Sequence, residues 1–167
     1  MLIKSTRLSI CEFDLSMAES VHLNSLDNDN RIFLPDEVFE SIQEARDVLE
    51  FLISCYQTKE GPFVYPVLLE NGEQIGHVQV VKLDDCWEVG YHIGQSYTKQ
   101  GYSTEALKVF LPRMMDALGI DNIFGICVAE NIASQRVLQK CDFKLIHSGL
   151  SDYKGQDKLI CKYEFKR

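Results

Sequence analysis

The sequence lacks a long apolar segment, clustered cysteines and an excess of basic residues. None of its apolar runs approaches the roughly eighteen residues of a membrane-spanning helix. The opening segment MLIKSTRLSI has neither the apolar centre nor the cleavage site of a signal peptide. We therefore expect a soluble, cytoplasmic protein that does not work in a membrane.

The six cysteines are scattered, and no C-x-x-C pair or histidine at ligand spacing accompanies them. This spacing argues against a structural metal site and against a disulfide framework. We predict reduced and mostly buried thiols and no metal cofactor. The cysteines are Cys11, Cys55, Cys86, Cys127, Cys141 and Cys161.

The formal net charge of -8 argues against a nucleic-acid partner, because phosphate backbones attract an excess of lysine and arginine. The charge is also uneven. Residues 1–97 carry 17 acidic and 6 basic side chains, whereas the remainder is mildly basic. This asymmetry could steer a cationic molecule to one side and an anionic one to the other; a surface charged for solubility explains it equally well.

With 167 residues, 46% of them hydrophobic, the chain is long enough to form one core, and we expect a single domain over residues 1–167. Strand and helix patterns alternate along it, which predicts a mixed α/β sheet with helices on both faces. Strands are predicted at Arg7–Glu12, Val64–Leu69, Gln74–Lys82, Trp87–Ile93, Asn122–Val128, Phe143–His147 and Leu159–Phe165, with Asn71-Gly72 as the turn between the second and third. Helices are predicted at Asp14–Leu26, followed by a break at DNDN, from a cap at Ser41 to about Gln57, from about Ser103 to Gly119 with Pro112 on the solvent side, and at Ala133–Lys140.

A glycine and two hydroxyl side chains precede the longest predicted helix. The unpaired N–H groups at a helix N-terminus attract anions. Gly101 allows close approach to the backbone, and Ser103 and Thr104 add hydroxyl donors. The segment predicts a phosphate site, although a simple tight turn into the helix accounts for one glycine equally well, and neither the G-x-x-x-x-G-K-[ST] nor the G-x-G-x-x-G pattern is present.

A second strand-to-helix junction follows about thirty residues later, where Asn131 and Ser134 lie three residues apart. Capping of the helix explains this spacing without any further function. Two similar junctions in succession nevertheless suggest one shared ligand site.

These junctions carry a resemblance to a known family. The segments EVGYHIGQSYTKQGYSTEAL and NIFGICVAENIASQRVLQKCDF resemble the acetyl-CoA-binding half of the GNAT N-acetyltransferases, and most closely the branch that includes ribosomal-protein N-terminal acetyltransferases acting on alanine or serine. STRLSICEFD and IGHVQV extend the resemblance over nearly the whole chain. The resemblance implies an α+β fold with a mostly antiparallel sheet of about seven strands, about four helices, and two adjacent central strands that splay apart.

The resemblance also implies an acetyl-CoA site. The pyrophosphate would lie on the backbone amides of Lys99, Gln100, Gly101, Tyr102, Ser103 and Thr104, and the pantetheine arm would pair with Tyr91, His92 and Ile93 as an added strand, near Asn131. The chain departs from the family pattern at Thr98, Lys99 and Ser103 in this loop, and at Asp142, where a glycine is common.

For the chemistry, the resemblance implies that Ser134 protonates the leaving thiolate, because Leu138 stands where many members have a tyrosine. Glu88 is the leading candidate for the general base; its alternative is a structural contact with a backbone group or a cation. His77, His92 and Asp152 remain candidates as well.

The predicted function is transfer of acetyl from acetyl-CoA to the primary amine of a cationic acceptor, either a protein N-terminus or a small amine such as a polyamine. A noncatalytic acyl-CoA sensor and a nucleotide-binding module of another fold are the alternatives. The sequence leaves the oligomeric state open.

Overall fold

The computed structural model describes residues 1–84 and 86–167, which form an eight-stranded sheet and five α-helices. The strands are β1 (Leu2–Lys4), β2 (Leu8–Cys11), β3 (Phe63–Leu69), β4 (Gln74–Leu83), β5 (Cys86–Ile93), β6 (Asn122–Val128), β7 (Lys144–Tyr153) and β8 (Gln156–Lys166). The helices are α1 (Ala18–Ser25), α2 (Asn28–Phe33), α3 (Ile42–Cys55), α4 (Tyr102–Leu118) and α5 (Ile132–Lys140). Short 3-10 turns lie at Leu15–Met17, Pro35–Glu37 and Gln95–Tyr97.

The sheet is antiparallel except at one junction in its middle. The strand order is β1-β2-β3-β4-β5-β6-β8-β7, and only β5 and β6 run parallel among the described strands. The prediction of a mixed, mostly antiparallel sheet is therefore confirmed. The structure has one more strand and one more helix than expected, the three-residue β1 and the six-residue α2.

Helix α2 forms where the sequence pattern suggested only a break. Its residues are mostly polar, but Asn30 is buried and its amide donates to the carbonyls of Asn24 (3.3 Å) and Ser25 (3.2 Å). Tertiary hydrogen bonds thus hold a helix that apolar periodicity does not predict. By contrast, the predicted cap of α3 is present, since the Ser41 hydroxyl accepts a hydrogen bond from the Glu44 N–H at 3.2 Å.

Helices cover both faces of the sheet. On one face, Leu107, Phe110 and Met114 of α4 are buried in one cluster with apolar residues of β1 to β6, and Phe110 contacts Tyr65 edge-on with ring centres 5.6 Å apart. On the other face, Leu49 of α3 packs with a smaller apolar cluster. The larger apolar cluster therefore lies on the α4 face and the smaller one on the α3 face.

The proline within α4 lies on its exposed side, as its position in the apolar pattern predicts. Pro112 faces solvent, and its carbonyl accepts a hydrogen bond from Arg167 at 2.6 Å. Helix α5 ends at Lys140, and Asp142, two residues later, adopts a left-handed backbone with φ 66°. The closing hairpin of β7 and β8 is longer than predicted and extends to the turn at Tyr153 and Gln156.

All six cysteines are free thiols, and four of them are buried. Over residues 1–84 and 86–167, no helix combines the length and apolar character that crossing a bilayer requires.

Candidate active site

A cavity opens at the centre of the sheet because β5 and β6 meet at one point and then part. Glu88 pairs with Phe124, and no other pair joins these two strands among the described residues. The resulting cavity has a volume of about 880 Å³ and is lined by both strands, α5 and the segments around α2. The predicted splaying of two central strands is thus confirmed.

The backbone of β5 is divided between its two neighbours. The N–H of Gly94 donates to the Ile75 carbonyl on the β4 side at 2.8 Å. Because donors alternate along an antiparallel strand, the N–H of His92 also faces β4, while those of Tyr91 and Ile93 face the gap. The family resemblance predicted that the pantetheine arm pairs with all three residues. In the structure, of these three only the N–H groups of Tyr91 and Ile93 lie on the open edge of β5.

The turn before α4 presents a row of unused donors. Lys99 and Gly101 both have left-handed backbones, with φ 62° and φ 85°. In the part of the chain that the structure describes, the N–H groups of Lys99, Gln100, Gly101, Tyr102, Ser103 and Thr104 donate no hydrogen bond to protein atoms. Ser103 also lines the central cavity. This geometry fits an anion beside the gap between β5 and β6.

The side chain of Arg7 holds this turn in place, a contact that the sequence did not suggest; we call it the Arg7 brace. The Arg7 guanidinium donates to the Gln100 carbonyl at 3.1 and 3.2 Å and to the Glu105 carboxylate at 2.7 Å, and it lies 4.4 Å from the centre of the Tyr102 ring. Burial acts to raise the pKa of Glu105, but hydrogen bonds from Ser5 and Arg7 outweigh it and leave that pKa lowered. Because Arg7 and Glu105 are far apart in sequence, no local pattern could have revealed their contact.

Ser134 lies at the cavity in a hydrogen-bonded cluster. Its N–H donates to the Asn131 side chain at 3.0 Å, which caps α5. Its hydroxyl lies 2.8 Å from the Tyr91 hydroxyl, which also donates to the Ser134 carbonyl at 3.0 Å. Sequence reasoning assigned Tyr91 a backbone role only and missed this side-chain contact.

Helix α5 can approach the sheet closely because Gly125 has no side chain. A Cβ atom built at Gly125 would lie only 2.5 Å from the Leu138 side chain. Leu138, predicted to stand in for a tyrosine, is therefore packed against β6 and is 1% exposed. This packing places the start of α5, with Asn131 and Ser134, over the gap.

Glu88 lies at the point where the strands separate. Burial raises its pKa to about 7, against the opposing effects of Lys154, Lys162 and the backbone of Ile126. A carboxyl group with this pKa can lose and gain a proton near neutral pH. The geometry therefore fits the predicted base, since Glu88 also lines the cavity.

The other candidate bases, His92, His77 and Asp152, line the same cavity but have different contacts. His92 is 8% exposed, and burial lowers its pKa to about 4. His77 lies 3.1 Å from Glu37, a residue that the sequence analysis did not single out. Asp152 is exposed and accepts a hydrogen bond from the Gly155 N–H at 2.9 Å, which gives it a structural part in the hairpin turn.

Across the described ranges, 1–84 and 86–167, there is no group of three or more histidine, cysteine and acidic side chains arranged to hold a metal ion. The site is thus built from backbone donors, hydroxyls and carboxyl groups.

Comparison with known proteins places the chain in a family. Residues 7–144 match the model of the acetyltransferase (GNAT) domain. A relative described as an uncharacterized N-acetyltransferase, YnaD of Bacillus subtilis (strain 168), is 27% identical over 143 residues, which cover 84% of this chain and 81% of YnaD.

Solved structures share the fold over almost the entire chain. A GNAT-family acetyltransferase from Bacillus anthracis superposes with a TM-score of 0.84 at 23% identity, covering 99% of this chain and 98% of that one. RimL, described as a ribosomal L7/L12 alpha-N-protein acetyltransferase in complex with coenzyme A, gives a TM-score of 0.85 at 22% identity with the same coverage. These matches exclude a nucleotide-binding module of another fold. The chain belongs to the GNAT acetyltransferase family.

Proposed function

We propose that the protein transfers the acetyl group of acetyl-CoA to the primary amine of a cationic acceptor. The observation that carries this proposal is the row of unused N–H groups from Lys99 to Thr104 beside the gap between β5 and β6. A diphosphate and an extended amide chain need these two features side by side. The six free thiols agree with a reducing compartment, so the cytoplasm stays the predicted location.

In this proposal the donor lies along the gap. The amides of the turn before α4 hold the pyrophosphate, and Asn131 lies beside the pantetheine arm, which pairs with the open backbone edge of Tyr91 and Ile93. His92 lies between these two residues in β5, and its own N–H faces β4 rather than the pantetheine arm. The likeness to RimL, which was crystallised with coenzyme A, supports this arrangement.

The bound acetyl-CoA supplies an activated acetyl thioester; the chain supplies the proton transfers. Glu88 accepts a proton from the acceptor amine as its nitrogen attacks the acetyl carbonyl carbon. The N–H of Tyr91 or Ile93 hydrogen-bonds the carbonyl oxygen and stabilises its developing negative charge. As the carbon–sulfur bond breaks, Ser134 donates a hydrogen bond to the departing sulfur, and coenzyme A leaves as the thiolate, which takes up a proton from solvent.

The acceptor side of the cavity favours cations because acidic side chains surround it. Asp27, Asp29 and Glu37 approach from the α2 region, and Glu88 lies on β5. A protein N-terminus and a small amine both satisfy this requirement.

The test combines purified protein, acetyl-CoA and a panel of amines with detection of the released thiol. Amine-dependent release supports the enzyme. Tight binding of acetyl-CoA without release on the whole panel would instead support the alternative, a noncatalytic acyl-CoA sensor, which needs Gly101 and Asn131 but neither Ser134 nor Glu88.

A further inference from the structure

Glu37 occupies an unusual place above the central sheet. It ends the 3-10 turn Pro35–Glu37 between α2 and α3, and its side chain lies over β4. One carboxylate oxygen accepts a hydrogen bond from the Gln79 amide at 3.2 Å, and the other lies 3.1 Å from His77 Nε2. The structure therefore fixes the position of this carboxylate from two sides.

Glu37 and Glu88 face the same cavity, Glu37 from above β4 and Glu88 from β5. In the register of β4 and β5, Gln79 lies opposite Gly90 and Val81 lies opposite Glu88. Gly90 leaves room for Gln79, since a Cβ atom built there would be only 2.6 Å from the Gln79 amide nitrogen. Adjacent strands are about 4.8 Å apart, so the carboxyl group held above β4 is within reach of one small molecule at Glu88.

The two carboxyl groups differ in charge. Burial acts to raise the pKa of Glu37, but the contacts with His77 and Gln79 outweigh it and lower the pKa to about 2. Glu37 is thus ionised at neutral pH.

One buried polar atom in this part of the cavity, Nε2 of His92, has no hydrogen-bond partner among the described residues, and the nearest carboxylate, Asp27, lies 3.7 Å away. Oε2 of Glu37 contacts His77 Nε2 at 3.1 Å but makes no well-aligned hydrogen bond with it. His92 is 92% shielded from solvent, and it lines the same cavity across from His77. Buried polar atoms normally have partners, so the free Nε2 of His92 beside the Glu37 carboxylate indicates that a polar ligand completes the site.

We propose that Glu37 and His92 form a second cation subsite, and that the acceptor is an amine carrying another positively charged group a short alkyl chain away. This inference rests on the proposed acetyl transfer and narrows its substrate class to short diamines. The reactive amine lies at Glu88, and the second ammonium group donates hydrogen bonds to Glu37 while His92 accepts another. A monoamine of the same length can occupy the cavity but has no second ammonium group to hydrogen-bond Glu37 and His92.

The experiment compares diaminobutane with butylamine as acceptors for the wild-type protein and for Glu37→Gln. The matched control is Asp36→Asn, which removes the same charge from the adjacent residue; Asp36 is 72% exposed and lies 3.7 Å from Lys154. A buried hydrogen bond to a charged group contributes about 1.5–3 kcal/mol, which corresponds to about 10- to 150-fold in kcat/KM.

We expect the wild type and Asp36→Asn to prefer diaminobutane by this factor. Glu37→Gln should lose the preference through a higher KM for the diamine while retaining its activity on butylamine. Equal use of the two amines by the wild type, or an unchanged preference in Glu37→Gln, would overturn the subsite.

Failure of the subsite is distinguishable from failure of the acetyl transfer. If no amine is acetylated, the proposed function fails, and calorimetric titration of diaminobutane into the coenzyme A complex still decides the subsite. Binding that is weakened about 10-fold or more by Glu37→Gln, relative to Asp36→Asn, supports it; absent or unaltered binding refutes it. The thermal midpoint of each variant checks that it is folded.

Discussion

Glu37 and Glu88 show how surroundings set the chemistry of a single residue type. Both are carboxyl groups shielded in one cavity, yet the pKa of Glu37 is lowered to about 2 and that of Glu88 is raised to about 7. Glu37 has an imidazole and an amide in contact, whereas for Glu88 the effect of burial exceeds that of its cationic neighbours. One group is suited to hold a cation and the other to exchange a proton.

The pH dependence of turnover tests the role of Glu88. Because a base must be deprotonated, activity should rise with pH through an apparent pKa of about 7. In Glu88→Gln we expect kcat to fall about 100-fold and this limb to disappear from the pH–rate profile. A limb that persists in the variant would assign the base elsewhere, and Asp152→Asn would then be measured in the same way.

The raised pKa of Glu88 also predicts how Glu88→Gln changes the free energy of unfolding as the pH changes. The folded state binds the Glu88 proton more tightly than the unfolded chain, whose pKa is about 4.5. The resulting stabilisation is fully present below that value and is lost as pH rises toward 7. Glu88→Gln cannot ionise, so at pH 8 it should exceed the wild type in free energy of unfolding by up to about 3 kcal/mol. Denaturant titration at pH 5 and pH 8 measures this difference; equal differences at the two values would contradict it.

Mutation can separate the role of the Ser134 hydroxyl from that of the Tyr91 hydroxyl, which it contacts. Ser134→Ala removes the proposed donor to sulfur, and kcat should fall about 10- to 100-fold with KM for acetyl-CoA little changed. Tyr91→Phe keeps the ring but loses the hydrogen bonds to Ser134, so we expect a smaller loss of kcat. Steady-state kinetics and coenzyme A titration give both values. Full turnover in Ser134→Ala with intact binding would exclude the assignment.

At the scale of elements, the Arg7 brace joins the start of β2 to the turn before α4. Arg7→Lys keeps the charge but cannot make the same set of contacts with Gln100 and Glu105. We expect KM for acetyl-CoA to rise about 5-fold, equivalent to about 1 kcal/mol, with kcat nearly unchanged. Arg46→Lys, at an exposed ion pair within α3, is the control. A change in kcat alone would argue against a positioning role.

The end of α5 carries strain that a single substitution should relieve. Asp142 has φ 66°, a conformation that glycine adopts at no cost, and its negative charge lies at a helix C-terminus. Asp142→Gly should raise the free energy of unfolding by about 1 kcal/mol. Asp142→Asn separates the contribution of charge from that of backbone. A thermal melt that shows no gain for glycine over asparagine would contradict the backbone part.

At the scale of the whole molecule, the two halves of the sheet are joined through one pair, Glu88 and Phe124, among the described residues. A ligand in the gap would add contacts to both halves. At a hundred-fold excess over Kd, coenzyme A should stabilise the fold by about 2.7 kcal/mol, which corresponds to about 5–10 °C in the thermal midpoint for this chain length. ATP and NAD are the controls, and an equal shift with either would argue against a coenzyme A site.

Much of this architecture could be predicted because local patterns encode it. The apolar faces of α3 and α4, the Asn71-Gly72 turn, the Ser41 cap and the strand Asn122–Val128 lie where periodicity and turn chemistry indicate. Helix α2 could not be predicted in this way, since Asn30 is held by hydrogen bonds to backbone that the chain itself brings close.

The sequence by itself determined the family, the class of fold and the turn with free donors before α4, because glycine, hydroxyl and helix-start signals act within a few residues. Only the tertiary structure decided that Arg7 braces that turn, that Tyr91 bonds Ser134, and that Glu37 reaches the cavity of Glu88. These contacts join residues tens of positions apart, and their energies depend on burial, which no stretch of sequence specifies alone.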